Sequence, residues 1–273
     1  MKYTVMIMAY ILCALLVSCT PSSTEWKPLF SGENLDNWDK YLGPPFPGLE
    51  ERAKQATPEN VFSIIEVDGE NVLRISGEVH GSVATKETFE NYHLRLVFKW
   101  GDDVPHERNS GLLYHSYGDF GASYWTWMSS VECQLMHDNL GDTYLMTDEI
   151  TCEASVDESE DRQYYYRPEA IKVPFGVYTN RRMIRKMQNA ERPLGQWNTV
   201  DLYCYGQTAV HVINGKTVMV IENIRTNKNG SITPLTSGKI QLQSEGAEIY
   251  FKSIDIRPIT GIPIEVISTI ASN

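Results

Sequence analysis

The sequence predicts an all-β fold, a sandwich of two antiparallel sheets, on three observations. Several runs place apolar residues at every second position, two such runs are joined by Asn-Gly, and no helical periodicity of comparable length competes. Leu94, Leu96, Phe98 and Trp100 alternate with His93, Arg95, Val97 and Lys99, which gives a strand with one polar face. Val200, Leu202 and Cys204 alternate in the same way with Asp201, Tyr203 and Tyr205. Residues 210–213 and 216–220 flank Asn214-Gly215, the pair that a two-residue hairpin turn favours. Residues 71–76, 238–243 and 248–257 complete the predicted strands.

Two stretches interrupt this pattern. Residues 42–59 hold Pro44, Pro45 and Pro47 and then the charged run ERAKQA, which together predict a surface loop with one or two helical turns. Residues 157–192 are charged and rich in tyrosine (Tyr164, Tyr165, Tyr166, Tyr178) and read as a long insertion loop. A connection of that length inside one domain usually has a function of its own.

The chain opens with Lys2, an apolar run over residues 3–17, then Ser18 and Cys19. The run is shorter than the roughly 20 residues of a membrane-spanning helix, so residues 1–18 are expected to be a removable signal peptide. Leu16-Val17-Ser18-Cys19 fits a lipobox, which makes Cys19 the expected site of lipidation. The expected product is an exported protein, lipid-anchored in the cell envelope at the outer membrane. Residues 19–28 would form its tether, 29–259 its folded domain and 260–273 a C-terminal tail. With 24 Lys and Arg against 35 Asp and Glu, the net charge of −11 argues against a nucleic-acid partner and for neutral substrates. Cys133, Cys152 and Cys204 are an odd set, consistent with one disulfide or with three buried thiols.

The densest chemistry lies between Arg108 and Asp142. Residues 131–135 alternate strictly, so Glu132 and Gln134 project from one strand face while Val131, Cys133 and Leu135 enter the core. A carboxylate and an amide side by side suit sugar hydroxyls. Tyr114, His115, Tyr117, Tyr124, Trp125 and Trp127 supply rings that stack on sugars or pack a core. His137, Asp138, Asp142, Asp148 and Glu149 add acids and a base; calcium stays open as a cofactor, although EF-hand spacing is absent. No HExxH, paired CxxC, GxSxG or phosphate-cradling glycine loop supports zinc, serine or nucleotide chemistry.

The ordered set WKPLFSGENLDNWDKYLGPP, RNSGLLYH, VECQL followed by GD, GQWNTVDLYCYGQTAVHVINGKTV and GKIQLQSEGAEIYFKSIDIRPI resembles the 3-keto-disaccharide hydrolase domain family. The resemblance implies a concanavalin-like jelly roll whose concave face binds sugar. It also implies a glycoside substrate whose C3 hydroxyl a separate oxidoreductase has already oxidised to a ketone. Removal of the acidified C2 proton would then expel the C1 aglycone by β-elimination, and hydration would complete net hydrolysis, with no cofactor held in this chain. On the family pattern Glu132 or His115 would be the base and Arg108 or Lys86 the partner of the enolate. Gln134, Asp142 and Trp125 would contact sugar, with Tyr114, Asn109 and Glu245 as further binding residues. Many members carry Asp-His-Gly where this chain has Ser244-Glu245-Gly246, so a histidine role there is not carried over. A carbohydrate-binding lipoprotein without turnover and a conventional two-carboxylate glycosidase are the competing readings.

Overall fold

The computed structural model describes residues 25–176, 179 and 181–268; the expected lipidation site Cys19 and Tyr178 lie outside the described residues. In chain order the strands begin with β1 (Lys27–Phe30), β2 (Trp38–Pro45), β3 (Phe62–Val67), β4 (Glu70–Ile75), β5 (Val79–Thr85), β6 (Phe89–Glu90) and β7 (Tyr92–Trp100). There follow β8 (Gly111–Tyr117), β9 (Ser129–Gln134), β10 (Thr143–Leu145), β11 (Ile150–Glu158), β12 (Tyr164–Tyr166), β13 (Lys172–Gly176) and β14 (Met183–Ile184). The last are β15 (Asn198–Tyr205), β16 (Thr208–Ile213), β17 (Lys216–Lys228), β18 (Ser231–Pro234), β19 (Ser237–Ser244) and β20 (Ile249–Pro258). Helices are limited to α1 (Glu50–Ala53), α2 (Pro58–Val61) and α3 (Ile264–Ser268) among the described residues.

These strands make two antiparallel sheets. The larger runs β12-β11-β17-β16-β15-β7-β20-β4-β3, and the smaller runs β14-β10-β9-β8-β19-β5-β2. Alternating apolar residues of both meet in one core: Leu94, Leu96, Phe98, Val200 and Leu202 from the larger sheet face Leu112, Tyr114, Val131, Cys133 and Leu242 from the smaller. The result is the sandwich that the alternation predicts, with the jelly-roll form that the resemblance implies. The predicted hairpin is β16–β17, with Asn214 at φ 50° and Gly215 at φ 80°, the two left-handed positions that such a turn requires.

Two expectations change on contact with the structure, and one open alternative is closed. Residues 157–192 are no structureless insertion: β12 and β13 pair with β11, and β14 pairs with β10. Their tyrosines and valine suit strands, but these segments are too short to display alternation. The fold also begins before Leu29, because Lys27 already pairs with Ile256 and the Arg95 and Arg257 guanidiniums lie over the Trp26 ring, 5.4 and 4.6 Å from its centroid. The thiols of Cys133, Cys152 and Cys204 are all free and buried, so they pack as small apolar groups.

Candidate active site

The face of the smaller sheet that turns away from the core carries the chemistry. Strict alternation on β9 sends Val131 and Cys133 inward and Glu132 and Gln134 outward. Register then fixes their neighbours. Glu132 lies between Tyr144 on β10 and Leu113 on β8, and Gln134 stands opposite Gly111. On this face Leu113, Trp127 and Met146 form a small apolar cluster of their own, with Tyr144 packed against it. Trp127 is held in place by an indole N–H donated to the Gly81 carbonyl at 2.9 Å.

This lid of apolar groups leaves Glu132 only 3% exposed. Its Oε1 and the Oε1 of Gln243 are buried without hydrogen-bond partners. Both press against Gly111, where a Cβ would sit 2.2 and 2.1 Å from them. Burial, and then the nearby charge of Asp142, push the Glu132 carboxyl up to about 8. Burial likewise raises Glu245, with Glu132 and Glu107 adding repulsion. Glu107 reaches this position because the preceding residue, His106, donates its backbone N–H to the Gly246 carbonyl at 2.9 Å. The face therefore sets Glu132 and Glu245 against each other over a patch with unmet hydrogen-bonding capacity, a combination typical of sites built for a ligand.

The structure brings only some of the expected residues to this place. Arg108 and Asn109 stand at the start of β8, each half-buried and each with a buried, unpartnered atom, Nε and Oδ1. Gln134 accepts a hydrogen bond from the Met136 N–H at 2.9 Å. Trp125 is 78% exposed in the loop before β9, beside Tyr124, whose hydroxyl meets that of Tyr144 at 2.8 Å. Asp142 is buried but taken: it accepts from the Arg185 guanidinium and the Lys186 backbone N–H, both at 2.8 Å, so it fixes the β14 segment.

Three expected residues lie elsewhere. His115 occupies a bulge at φ 51° and turns into the core, with its ring against Tyr92 and Tyr114, neither nitrogen bonded, and burial holding it down to about 4. The bulge between Tyr114 and Tyr117 shifts the alternation that would have sent its ring outward. Tyr114 is also a core residue, its hydroxyl paired with the His211 ring at 3.0 Å. Lys86 is exposed beyond the far end of β5, where its ammonium donates to the Asp36 carbonyl.

Sequence reasoning missed Gln243 and His80. His80 alternates with Ser82 and Ala84 on β5 and so shares the outer face; its ring stacks on Phe46 at 3.8 Å and meets Trp127 edge-on. Its Nδ1 lies 2.9 Å from the Pro44 carbonyl, which only accepts, so that nitrogen carries the proton and Nε2 keeps its lone pair. Gln243 was visible as every second residue of a strand, but its proximity to Glu132 depends on the pairing of β19 with β8. For a metal, His137, Asp138 and Glu191 offer atoms within 4.8 Å of one another. That cluster is already closed by its own hydrogen bonds, His137 Nδ1 to Glu191 Oε1 at 3.0 Å and Asp138 N to Glu191 Oε2 at 2.8 Å.

A jelly-roll sandwich with buried carboxylates, amides and exposed aromatic rings on one outer sheet face has the construction of a carbohydrate-active protein. The chain belongs to the 3-keto-α-glucoside-1,2-lyase-like domain family, whose profile matches residues 25–257. No curated protein matches the sequence. Among solved structures, two proteins of Parabacteroides distasonis provisionally described as glycosyl hydrolases are similar. One is 23% identical, covering 86% of this chain and 100% of that one with a TM-score of 0.48. The other is 18% identical, covering 86% and 94% with a TM-score of 0.49. A Bacillus subtilis protein of unknown function with a galectin-like fold is 12% identical, covering 86% and 96% with a TM-score of 0.45. None of these likenesses is close enough to carry a function across.

Proposed function

We propose that this protein cleaves 3-keto-glycosides by proton abstraction at C2 and β-elimination of the C1 substituent. The observation that supports it best is Glu132, a buried carboxyl raised to about 8 with an unpartnered oxygen facing Gly111 and Gln243. Its carboxylate takes the C2 proton, and the electron pair moves onto the C3 carbonyl oxygen as an enolate. Collapse of the enolate re-forms the ketone, makes the C1–C2 double bond and expels the aglycone oxygen, which takes up a proton. Addition of water across that double bond returns a free 3-keto sugar. Arg108, with its unpartnered buried Nε, is the cation for the enolate oxygen. Gln134, Gln243 and Asn109 bind hydroxyls, and Trp125 is the platform for the aglycone-side ring.

The C3 ketone must come from a separate oxidoreductase, and lipidation at Cys19 would hold the domain in the envelope beside it. The decisive experiment incubates the purified chain with a glycoside and with its 3-keto derivative and follows aglycone release. Release from the 3-keto compound alone is expected. Release from the unoxidised glycoside would indicate a conventional two-carboxylate glycosidase, and binding of both without release a carbohydrate-binding protein.

A further inference from the structure

In a chain of net charge −11, Arg181, Arg182, Arg185 and Lys186 stand within six residues. The structure fixes this run from both sides. The Arg182 carbonyl accepts from the Leu145 N–H on β10, and Arg185 exchanges backbone hydrogen bonds with Tyr164 and Tyr166 of β12 at 2.7 and 2.8 Å. Between them opens a cleft of about 200 Å³ walled by Arg162, Arg181, Arg182 and Arg185 with Gln163, Tyr164 and Met183. Among the described residues no carboxylate lines it.

Ion pairs among the described residues take up two of the four guanidiniums that line the cleft. Arg182 pairs with Asp148, and Arg185 with Asp142. Arg181 lies over the Tyr164 ring, 4.5 Å from its centroid, and neither it nor Arg162 has an ion pair among the described residues. Of the neighbouring acids, Asp161 accepts hydrogen bonds from Ser159 and Gln163 and keeps its charge. Two guanidiniums outside any ion pair among the described residues, one of them over an aromatic ring, present planar N–H forks matched to a carboxylate or a sulfate ester.

The position connects the cleft to the candidate active site. Met183 pairs with Tyr144 and Tyr144 with Glu132, so the cleft wall lies two strand spacings, about 10 Å, from Glu132. That is the reach of the next sugar along a glycoside. We infer that the cleft is a subsite for an anionic group, carboxylate or sulfate, on the sugar or aglycone next to the bond being cleaved. The substrate assignment rests on the cleavage reading above, whereas the anion binding does not.

Titration calorimetry of the full chain with glucuronate, glucose 6-sulfate and glucose at one ionic strength tests the anion site directly. At least one anion should bind at least tenfold more tightly than glucose, and the tighter of the two identifies the group. Arg162→Gln and Arg181→Gln should each weaken it several-fold, the first being an exposed position where folding is not at stake. Equal binding of all three sugars, or undiminished binding by both variants, would overturn the inference. Kinetics then tests its use. A 3-keto-glycoside with a glucuronate aglycone should exceed its glucose counterpart at least tenfold in kcat/KM, a preference lost in Arg181→Gln while the neutral substrate is unaffected. Anion binding without cleavage of either substrate would remove the cleavage reading and leave the anion site standing. Cleavage of both at equal rates would remove the subsite's role in substrate choice.

Discussion

Glu132 and Gln243 reach Gly111 from opposite sides, and the hydrogen that Gly111 bears in place of a side chain is what lets their two Oε1 atoms come there. A Cβ at this position would stand 2.2 Å from one and 2.1 Å from the other. Gly111→Ala is therefore expected to displace both side chains from a packed environment, at a cost of about 1 to 3 kcal/mol. Activity on a 3-keto-glycoside should fall at least tenfold, and the melting temperature should drop by several degrees. Wild-type turnover in this variant would separate the pair from the chemistry.

The raised Glu132 carboxyl gives a second expectation with a defined sign. Its folded value of about 8 lies above the ordinary 4.5, so between those pH values the folded state holds a proton that the unfolded chain has lost. Stability contributed by this group is complete below pH 4.5, falls as pH rises, and levels off above 8. Glu132→Gln removes that loss. The variant should match wild type near pH 4.5 and be more stable at pH 8.5, by on the order of a few kcal/mol, which also raises its melting temperature there. It should also be inactive, while wild-type kcat/KM climbs with pH through about 8 as the base ionises. A melting difference that does not change with pH would contradict the buried, unpaired carboxyl.

What the sequence made legible was whatever depends on alternation. The strand 131–135, the hairpin at Asn214-Gly215 and the projection of Glu132 and Gln134 from the outer sheet face all follow from side chains alternating about an extended backbone. What it concealed depends on irregularity or on pairing partners far along the chain. One extra residue at the β8 bulge sends His115 into the core. Gln243 meets Glu132 only because β19 lies against β8, a neighbour relation that spans more than half of the domain. Asp142 looked available until Arg185 and Lys186, from a segment with no strand signal, were found to hold it.

The buried histidines set the acid limit of the fold. Burial holds both His115 and His211 down to about 4, below the ordinary 6.5. Neutral imidazole is thus the folded form, and the unfolded chain takes up protons first. Their stability contribution is present above pH 6.5 and is lost as pH falls toward 4, about 3 kcal/mol for each ring. His115→Asn keeps a side chain suited to the left-handed backbone at φ 51°. Relative to wild type, this variant should gain roughly 3 kcal/mol between pH 6.5 and 4 in denaturant titrations. Parallel pH profiles would show that His115 is not held neutral.

Trp125 separates binding from folding most cleanly. It follows Tyr124, and the two sit at φ 56° and 46°, a conformation that costs most residues about 1 kcal/mol and that glycine adopts freely. At 78% exposure its ring contributes little to the core, so the strain is not recovered by packing. Strain of this kind persists where a site needs a side chain presented in one direction. Trp125→Gly is accordingly expected to preserve stability or raise it by up to about 1 kcal/mol, read as an unchanged or higher melting temperature. The same variant should raise KM for a disaccharide-sized substrate about tenfold, which corresponds to about 1.4 kcal/mol of lost stacking. A stability loss with unchanged KM would make this ring a packing element and move the sugar platform to another aromatic residue of the face.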